Sequence, residues 1–306
     1  MINEYSEDTF AVFGDVGGHY KPFMAALELL GFDKKTFRIP ANLTIIQDGD
    51  LVHKGKSSNQ LVSLVDNIIR VNNQDPESGT WIQIFGNHEA QYFLGAPRFW
   101  KMECDVHSIT TLNKWWRNKD ARLHYVIEQN GKKPFIVSHA GISHRFFYHA
   151  QSLWNKVDTK EPADFDKNLA TRTIADFSAW VDSLQPEHMD RAAIAGSMLT
   201  GKTSRQAGLV WAESVNEVYA TWRDIKVPFH QIHGHVTPYN WSQSKFYSNV
   251  HEVFRQHFVL DSRKRHSKWT NRDGTMFIGI DPGFDRSADR DIITPLMLTA
   301  NGIIPS

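Results

Sequence analysis

The stretch Leu43–Gly55, LTIIQDGDLVHKG, decides the fold. Leu43, Thr44, Ile45 and Ile46 form a short bulky apolar and β-branched run that reads as a buried strand, after which Gly49 breaks the chain and delivers Asp50. A carboxylate is thereby expected at a strand's C-terminal end. Ser57 and Ser58 then offer helix caps, and Leu61, Leu64, Val65, Ile68 and Ile69 line one helical face that ends near Asn72 and Asn73. Trp81, Ile82, Ile84 and Phe85 make the next apolar run. Strand, helix and strand in that order predict a βαβ unit with parallel strands, whose following loops share one edge of the sheet. Asp50 should face the residues after Phe85.

The pattern repeats outward from this unit. Phe10 to Phe13 stops at Gly14 and Asp15, followed by Gly17, Gly18 and His19 and by a helix that Pro22 opens and Gly31 closes. The run through Phe85 ends at Gly86, Asn87, His88 and Glu89. Phe135 to Val137 ends at Ser138 and His139, and His230 to Ile232 ends at His233, Gly234 and His235. Each strand-like run finishes with a small residue and a metal-capable side chain, and ligands of α/β sheets gather outside the carboxyl ends of strands. Between Arg145 and Phe229 the sequence reads mostly as helices: Ile174, Phe177, Val181 and Leu184 share a face, Pro186 stops that helix, and Arg191 to Leu199 predicts another. Val253 to Leu260, Thr275 to Ile280 and Ile292 to Leu298 read as strands, with the basic residues Arg263, Lys264, Arg265, His266 and Lys268 in the turn between the first two. No repeat or linker is visible, so the expectation is one domain over 1–306 with a mostly helical insertion at about 145–229.

Composition sets the outer limits. The 306 residues, 41% hydrophobic and 22% charged, describe an ordinary globular chain rather than a disordered or fibrous one. With 34 Lys plus Arg against 34 Asp plus Glu, no net field draws the chain to nucleic acid or to an anionic membrane, so general nucleic-acid binding is not expected and phosphate binding must be local. No apolar stretch approaches membrane-spanning length, and the lone Cys104 forms neither an internal disulfide nor a zinc-thiolate site. A cytoplasmic chain is the expectation.

Asp15, His19, Asp50, Asn87, His139 and His235 are oxygen and imidazole donors without a thiolate, the set for a borderline divalent metal, with manganese first and iron, zinc or nickel as alternatives. Two metals are expected rather than one. A carboxylate can bridge cations ~3.5–4 Å apart, and such a pair activates water and clamps the oxygens of an in-line displacement at phosphorus. Asp50 is the natural bridge.

The order GDVGGH (14–19), GDLVHKG (49–55), GNHE (86–89), HAGI (139–142) and GHVTP (234–238) resembles the calcineurin-like metallophosphoesterase superfamily, nearest its phosphoprotein phosphatase branch and the bacterial dinucleoside tetraphosphatases. GLVW (208–211) and IDPG (280–283) resemble late segments of that branch. The resemblance implies a two-sheet α/β sandwich flanked by helices. It also implies that Asp15, His19 and Asp50 hold one metal, that Asp50, Asn87, His139 and His235 hold the other, and that a metal-bridging hydroxide is the nucleophile. His88 would protonate the departing oxygen, and Lys54 stands where the family has a phosphate-gripping arginine, which leaves a point charge in place of a bidentate fork.

The chain departs from the family in three places. Val16, Gly17 and Gly18 separate Asp15 from His19 where one residue is usual; a glycine pair lets such a loop fold back. His53 replaces the aspartate that pairs with the catalytic histidine, and Thr237 stands where the wider superfamily has a second histidine, as in the phosphoprotein phosphatase branch. The leading expectation is a phosphatase acting on phosphoserine or phosphothreonine in proteins, or on a small phosphoester. The alternatives are a hydrolase of dinucleoside polyphosphates or other nucleotides, suggested by HAGI and by Trp211, Tyr239 and Trp241, and a catalytically weak metal-binding scaffold. Nothing in the sequence fixes an oligomeric state.

Overall fold

In the computed structural model, residues 5, 7–148, 173–284 and 293–305 are described. The strands are β1 (Thr9–Phe13), β2 (Leu43–Asp48), β3 (Thr80–Ile84), β4 (Ala121–Arg122), β5 (Tyr125–Ile127), β6 (Phe135–Val137), β7 (His230–His233), β8 (Tyr239–Asn240), β9 (Lys245–Phe246), β10 (Phe258–Asp261), β11 (His266–Thr270), β12 (Met276–Gly279), β13 (Leu296–Thr299) and β14 (Gly302–Ile303). Two six-stranded sheets run β14-β13-β1-β2-β3-β4 and β10-β11-β12-β7-β6-β5, and β8 pairs with β9 as a separate ribbon. Strands β1 to β4 are mutually parallel, as are β6, β7 and β12, so the loops after them open on common edges.

Period-two alternation explains the two cores. Val12, Ile46, Ile84, Val137, Ile232 and Ile278 point inward and form one apolar cluster fed by both sheets. Ala11, Phe13, Ile45 and Trp81 point the other way, into a second cluster that holds the helices α1 (Tyr20–Leu29), α2 (Ser58–Asn72), α3 (Asn87–Ala90) and α4 (Val106–Asn118). Phe23, Leu27, Leu61, Val65 and Ile68 are the helical side of that contact. Ile46 is fully buried where the sheets meet, and Ile46→Ala should cost about 2–5 kcal/mol through lost contact and a residual cavity. Asn72 ends α2 by accepting the Ile39 N–H at 2.7 Å and donating to the Phe37 carbonyl at 2.6 Å.

The βαβ reading of Leu43–Phe85 holds, with β2 and β3 in parallel register from Thr44 against Thr80 to Asp48 against Ile84. Three other expectations need correction. Val253–Leu260 is not one strand: Glu252–Arg255 is a helical turn, and the strand begins at Phe258. The basic turn is shorter than expected, because His266 and Lys268 already belong to β11, where His266 is buried and donates its Nε2–H to the Thr294 carbonyl. Arg191–Leu199 is broken as well, into the helical turns Met189–Ala192 and Ser197–Thr200, because Gly196 takes an extended backbone conformation between them. Ile174–Asp182 is a helix, whereas residues 149–172 of the expected insertion lie outside the described residues, as does Ile292. Helix α4 and strands β4 and β5 have no counterpart in the sequence reading.

The parallel edges converge through unusually close backbone contacts. Gly49 has φ +85°, and a Cβ there would lie 2.4 Å from the Gly86 nitrogen; one on Gly86 would lie 2.3 Å from Asp50 Oδ1. Only glycine permits the loops after β2 and β3 to touch in this way. Asp50, His53, Lys54 and His235 all adopt left-handed backbone conformations although none is glycine, a strain that clusters at functional sites and must be held by its surroundings. Among the described residues no helix is long and apolar enough to cross a membrane.

Candidate functional site

Glu89 supplies the restraint on this strained loop. Its Oε2 accepts the N–H groups of Asp50 and Gly86 at 2.9 Å each, and its Oε1 accepts those of Leu51 at 2.8 Å and Val52 at 3.1 Å. The carboxylate is fully buried, and burial with Asp50 nearby pushes it up to about 7. One side chain thus ties the turn after β2 to the turn after β3. The sequence reading quoted Glu89 within GNHE and gave it no role.

Asp50 sits at the centre of what Glu89 holds. Its Oδ1 accepts the His88 backbone N–H at 3.1 Å and lies 3.2 Å from His139 Nε2, which is also 3.2 Å from Asn87 Oδ1. Asp50, His139 and His235 bring one donor atom each to within 4.8 Å of one another, enough to hold a metal ion. His139 Nδ1 is turned to the Asp48 carbonyl at 2.7 Å, which leaves Nε2 facing the cluster. Its protonation is opposed by burial, yet Asp50, Asp15 and Asp48 raise it to about 10. Burial would raise Asp50 itself, but His88, His139 and Lys54 around it hold it well below the usual carboxylate range.

Asp15 approaches from the turn after β1. Its Oδ1 accepts the His235 backbone N–H at 2.9 Å, so the loops of the two sheets are joined across the site. Burial, Asp281 and Asp50 together push Asp15 well above its usual range. Lys54 Nζ is 3.5 Å from Asp15 Oδ2 and 3.9 Å from Asp50 Oδ2, and although burial opposes its charge, Asp15, Asp50 and Asp281 hold it above the usual lysine range. His19 is buried at the start of α1 beside Phe284, with ring centroids 5.5 Å apart, and stands outside the Asp50–His139–His235 set. Gly17 and Gly18 do take positive φ, and a Cβ on Gly18 would lie 2.4 Å from the His53 carbonyl.

The donor set fits a divalent cation. Asp15 Oδ2 and His235 Nε2 are buried without a hydrogen-bond partner among the described residues, and such orphaned lone pairs cost about 1–3 kcal/mol each unless something satisfies them. Oxygen and imidazole atoms in this number, without a thiolate, suit a borderline divalent metal.

The proton-donor side is built differently. His88 Nε2 lies 3.7 Å from Asp50 Oδ2, while its Nδ1 is 2.6 Å from His53 Nδ1, and His53 Nε2 is 2.6 Å from the Tyr92 hydroxyl. Burial pulls His53 down to about 4 and His88 likewise to about 4. Sequence reasoning passed over Gln91, Tyr92, Asp48 and Asp281. Tyr92 lies beyond the end of α3 at Ala90 and its partner His53 is 39 residues away, so no local pattern marks it.

Beside the cluster a cavity of about 410 Å³ is lined by His235, Thr237, Tyr247, Asp281 and Phe284, with Met198 and Glu213 contributed by the helical region.

Comparison with known proteins agrees with this architecture. The calcineurin-like phosphoesterase family profile matches residues 9–236. No curated protein sequence matches. Among solved structures, the cold-active protein-tyrosine phosphatase of a psychrophilic Shewanella shares 16% identity over 99% of this chain and 79% of its own, with a TM-score of 0.50. A Saccharomyces cerevisiae protein serine/threonine phosphatase shares 12% over 90% of this chain and 68% of its own, with a TM-score of 0.42. With the profile spanning all the strand-edge motifs that meet at Asp50, the chain belongs to the calcineurin-like phosphoesterases, hydrolases of phosphoesters.

Proposed function

We propose that the chain is a metal-dependent phosphomonoesterase of the phosphoprotein phosphatase type, with both sheets belonging to one domain and the helical region shaping access. The observation that carries this reading is the convergence of Asp50, His139 and His235 within 4.8 Å, with Asn87 and Asp15 at their edge. Asp50, Asn87, His139 and His235 would hold one divalent cation, and Asp15, His19 and Asp50 the other, with manganese the first choice. When bound, such cations supply Lewis acidity at phosphorus and an activated water.

This chain's own residues do the rest. Lys54, partly exposed between Asp15 and Asp50, neutralises and orients the incoming phosphate as a point charge. His88 presents Nε2 beside Asp50 to the leaving oxygen. Glu89 keeps the Asp50 loop from relaxing.

The substrate is read as a phosphorylated protein side chain or a small phosphoester. A second reading, hydrolysis of a nucleotide or dinucleoside polyphosphate, is favoured by the cavity beside His235, whose Tyr247 and Phe284 offer faces for a base. Hydrolysis of p-nitrophenyl phosphate with added Mn²⁺, lost in Asp50→Asn, tests the chemistry. Competition between phosphopeptides and diadenosine tetraphosphate then separates the two substrates, and turnover far better on the latter rejects the phosphoprotein reading. Metal uptake with no turnover of any ester would leave only a metal-binding scaffold.

A further inference from the structure

His88 meets a histidine where the family pairs its catalytic histidine with a carboxylate, and the surrounding hydrogen bonds determine where the protons sit. Gln91 Oε1 accepts the backbone N–H groups of Phe99 at 3.4 Å and Trp100 at 3.0 Å. The amide nitrogen is therefore the end turned to His53 Nε2, 3.3 Å away. That ring nitrogen must accept, and it accepts from Tyr92 O–H as well. The Tyr92 oxygen takes the Cys104 N–H at 3.3 Å and keeps its own proton for His53, in line with burial pushing the phenol well up. With Nε2 accepting, the His53 proton lies on Nδ1 and is donated to His88 Nδ1. With Nδ1 accepting, the proton of His88 lies on Nε2, the nitrogen on the Asp50 side. Trp100 stacked on His53 at 6.1 Å and Phe99 edge-on to His88 at 4.9 Å hold both rings in place.

We propose that Gln91, Tyr92 and His53 are positioning residues that fix His88 as an Nε2–H donor whose Nδ1 is already occupied by the His53 N–H, so that the site selects aryl phosphates and phosphoanhydrides over alkyl phosphates. A carboxylate partner would accept an Nδ1–H and support the imidazolium; His53 presents an N–H at that place, so a second proton on His88 meets another donor. In the reaction the oxygen of water forms the new P–O bond, the ester P–O bond breaks, and its electron pair leaves on the departing oxygen, hydrogen-bonded to His88 Nε2–H. That oxygen takes its proton from solvent and the attacking water gives one up, so ester plus water becomes alcohol or phenol plus phosphate. A phenolate or phosphate leaves readily with only a hydrogen bond, whereas an alkoxide needs a full proton.

The inference rests on the phosphoesterase reading, and two readouts keep them apart. Nitrogen-15 NMR of histidine-labelled protein, with His88 assigned by its loss in His88→Gln, is expected to show His88 protonated at Nε2 and bare at Nδ1. In parallel, kcat/KM across phosphate esters of graded leaving-group acidity is expected to fall by at least ~10²-fold from p-nitrophenyl phosphate to an alkyl phosphate, with His53→Asp flattening the slope and Tyr92→Phe giving an intermediate one. If His53→Asp does not fold, Tyr92→Phe carries the comparison. A proton on His88 Nδ1, or the same slope in wild type and variants, overturns the inference. Absence of turnover on every ester overturns the phosphoesterase reading instead, and the spectra then decide the tautomer by themselves.

Discussion

The two flanks of Asp50 are built on opposite principles. On one, His139 and His235 converge with Asn87 and Asp15, and lone pairs of Asp15 and His235 end in no hydrogen bond among the described residues. On the other, His88, His53, Tyr92 and Gln91 form a continuous chain in which each ring nitrogen but His88 Nε2 faces a neighbour. The first flank needs a cation to complete it; the second is complete as the chain folds. The metal side should therefore respond to substitution through metal affinity, and the donor side through the identity of the leaving group.

The largest effect should come from the residue the flanks share. Asp50→Asn is expected to lower kcat by ~10²–10⁴-fold, several kcal/mol of transition-state stabilisation, with metal content lost in the same samples. Activity loss with full metal occupancy would break the division. Glu89→Gln comes next: with fewer lone pairs for the N–H groups of Asp50, Leu51, Val52 and Gly86, it should lower metal affinity by ~10–100-fold in calorimetric titration and cost about 2–4 kcal/mol of stability. Lys54→Arg sharpens the contrast, since a bidentate fork should lower KM for aryl phosphates by a few-fold, about 0.5–1 kcal/mol, while leaving metal content unchanged.

The smallest effect on catalysis is expected far from both flanks. Asp273 accepts from Lys133 Nζ at 2.8 Å, the Val227 N–H at 3.0 Å and the Thr275 N–H at 3.1 Å. Burial opposes its charge, but these donors together outweigh it and hold it below the usual carboxylate range. A carboxylate depressed in the folded state stabilises it above the unfolded pKa and loses that contribution as pH falls through the lower, folded value. Asp273→Ala should cost about 1–2 kcal/mol in urea titrations at pH 7, progressively less at increasingly acid pH, with kcat/KM unchanged.

The same contrast governs what could be read from sequence. The βαβ unit and the gathering of donors at strand ends were legible because their signals are local: an apolar run, a glycine and a donor, repeated in Phe10–Asp15, Leu43–Asp50 and Trp81–Asn87; the two-sheet sandwich followed from the family resemblance of those motifs. Strand periodicity fails where burial is shared with a helix, as at Val253–Arg255, which packs as a helical turn with Phe254 buried. Glu89 and Tyr92 were illegible for another reason, because their partners at Asp50–Val52 and His53 are 37–39 residues distant in the chain and met only through the loop contact of Gly49 with Gly86. His53 was visible as a departure from the family, but whether it replaces the carboxylate or changes the donor depended on Gln91, whose orientation is set by two backbone N–H groups.

Metal content by mass spectrometry, read beside hydrolysis of p-nitrophenyl phosphate with and without Mn²⁺, tests the account most directly. About two equivalents per chain with metal-dependent turnover is the predicted result. One equivalent or none, with no turnover under any divalent metal, would contradict it.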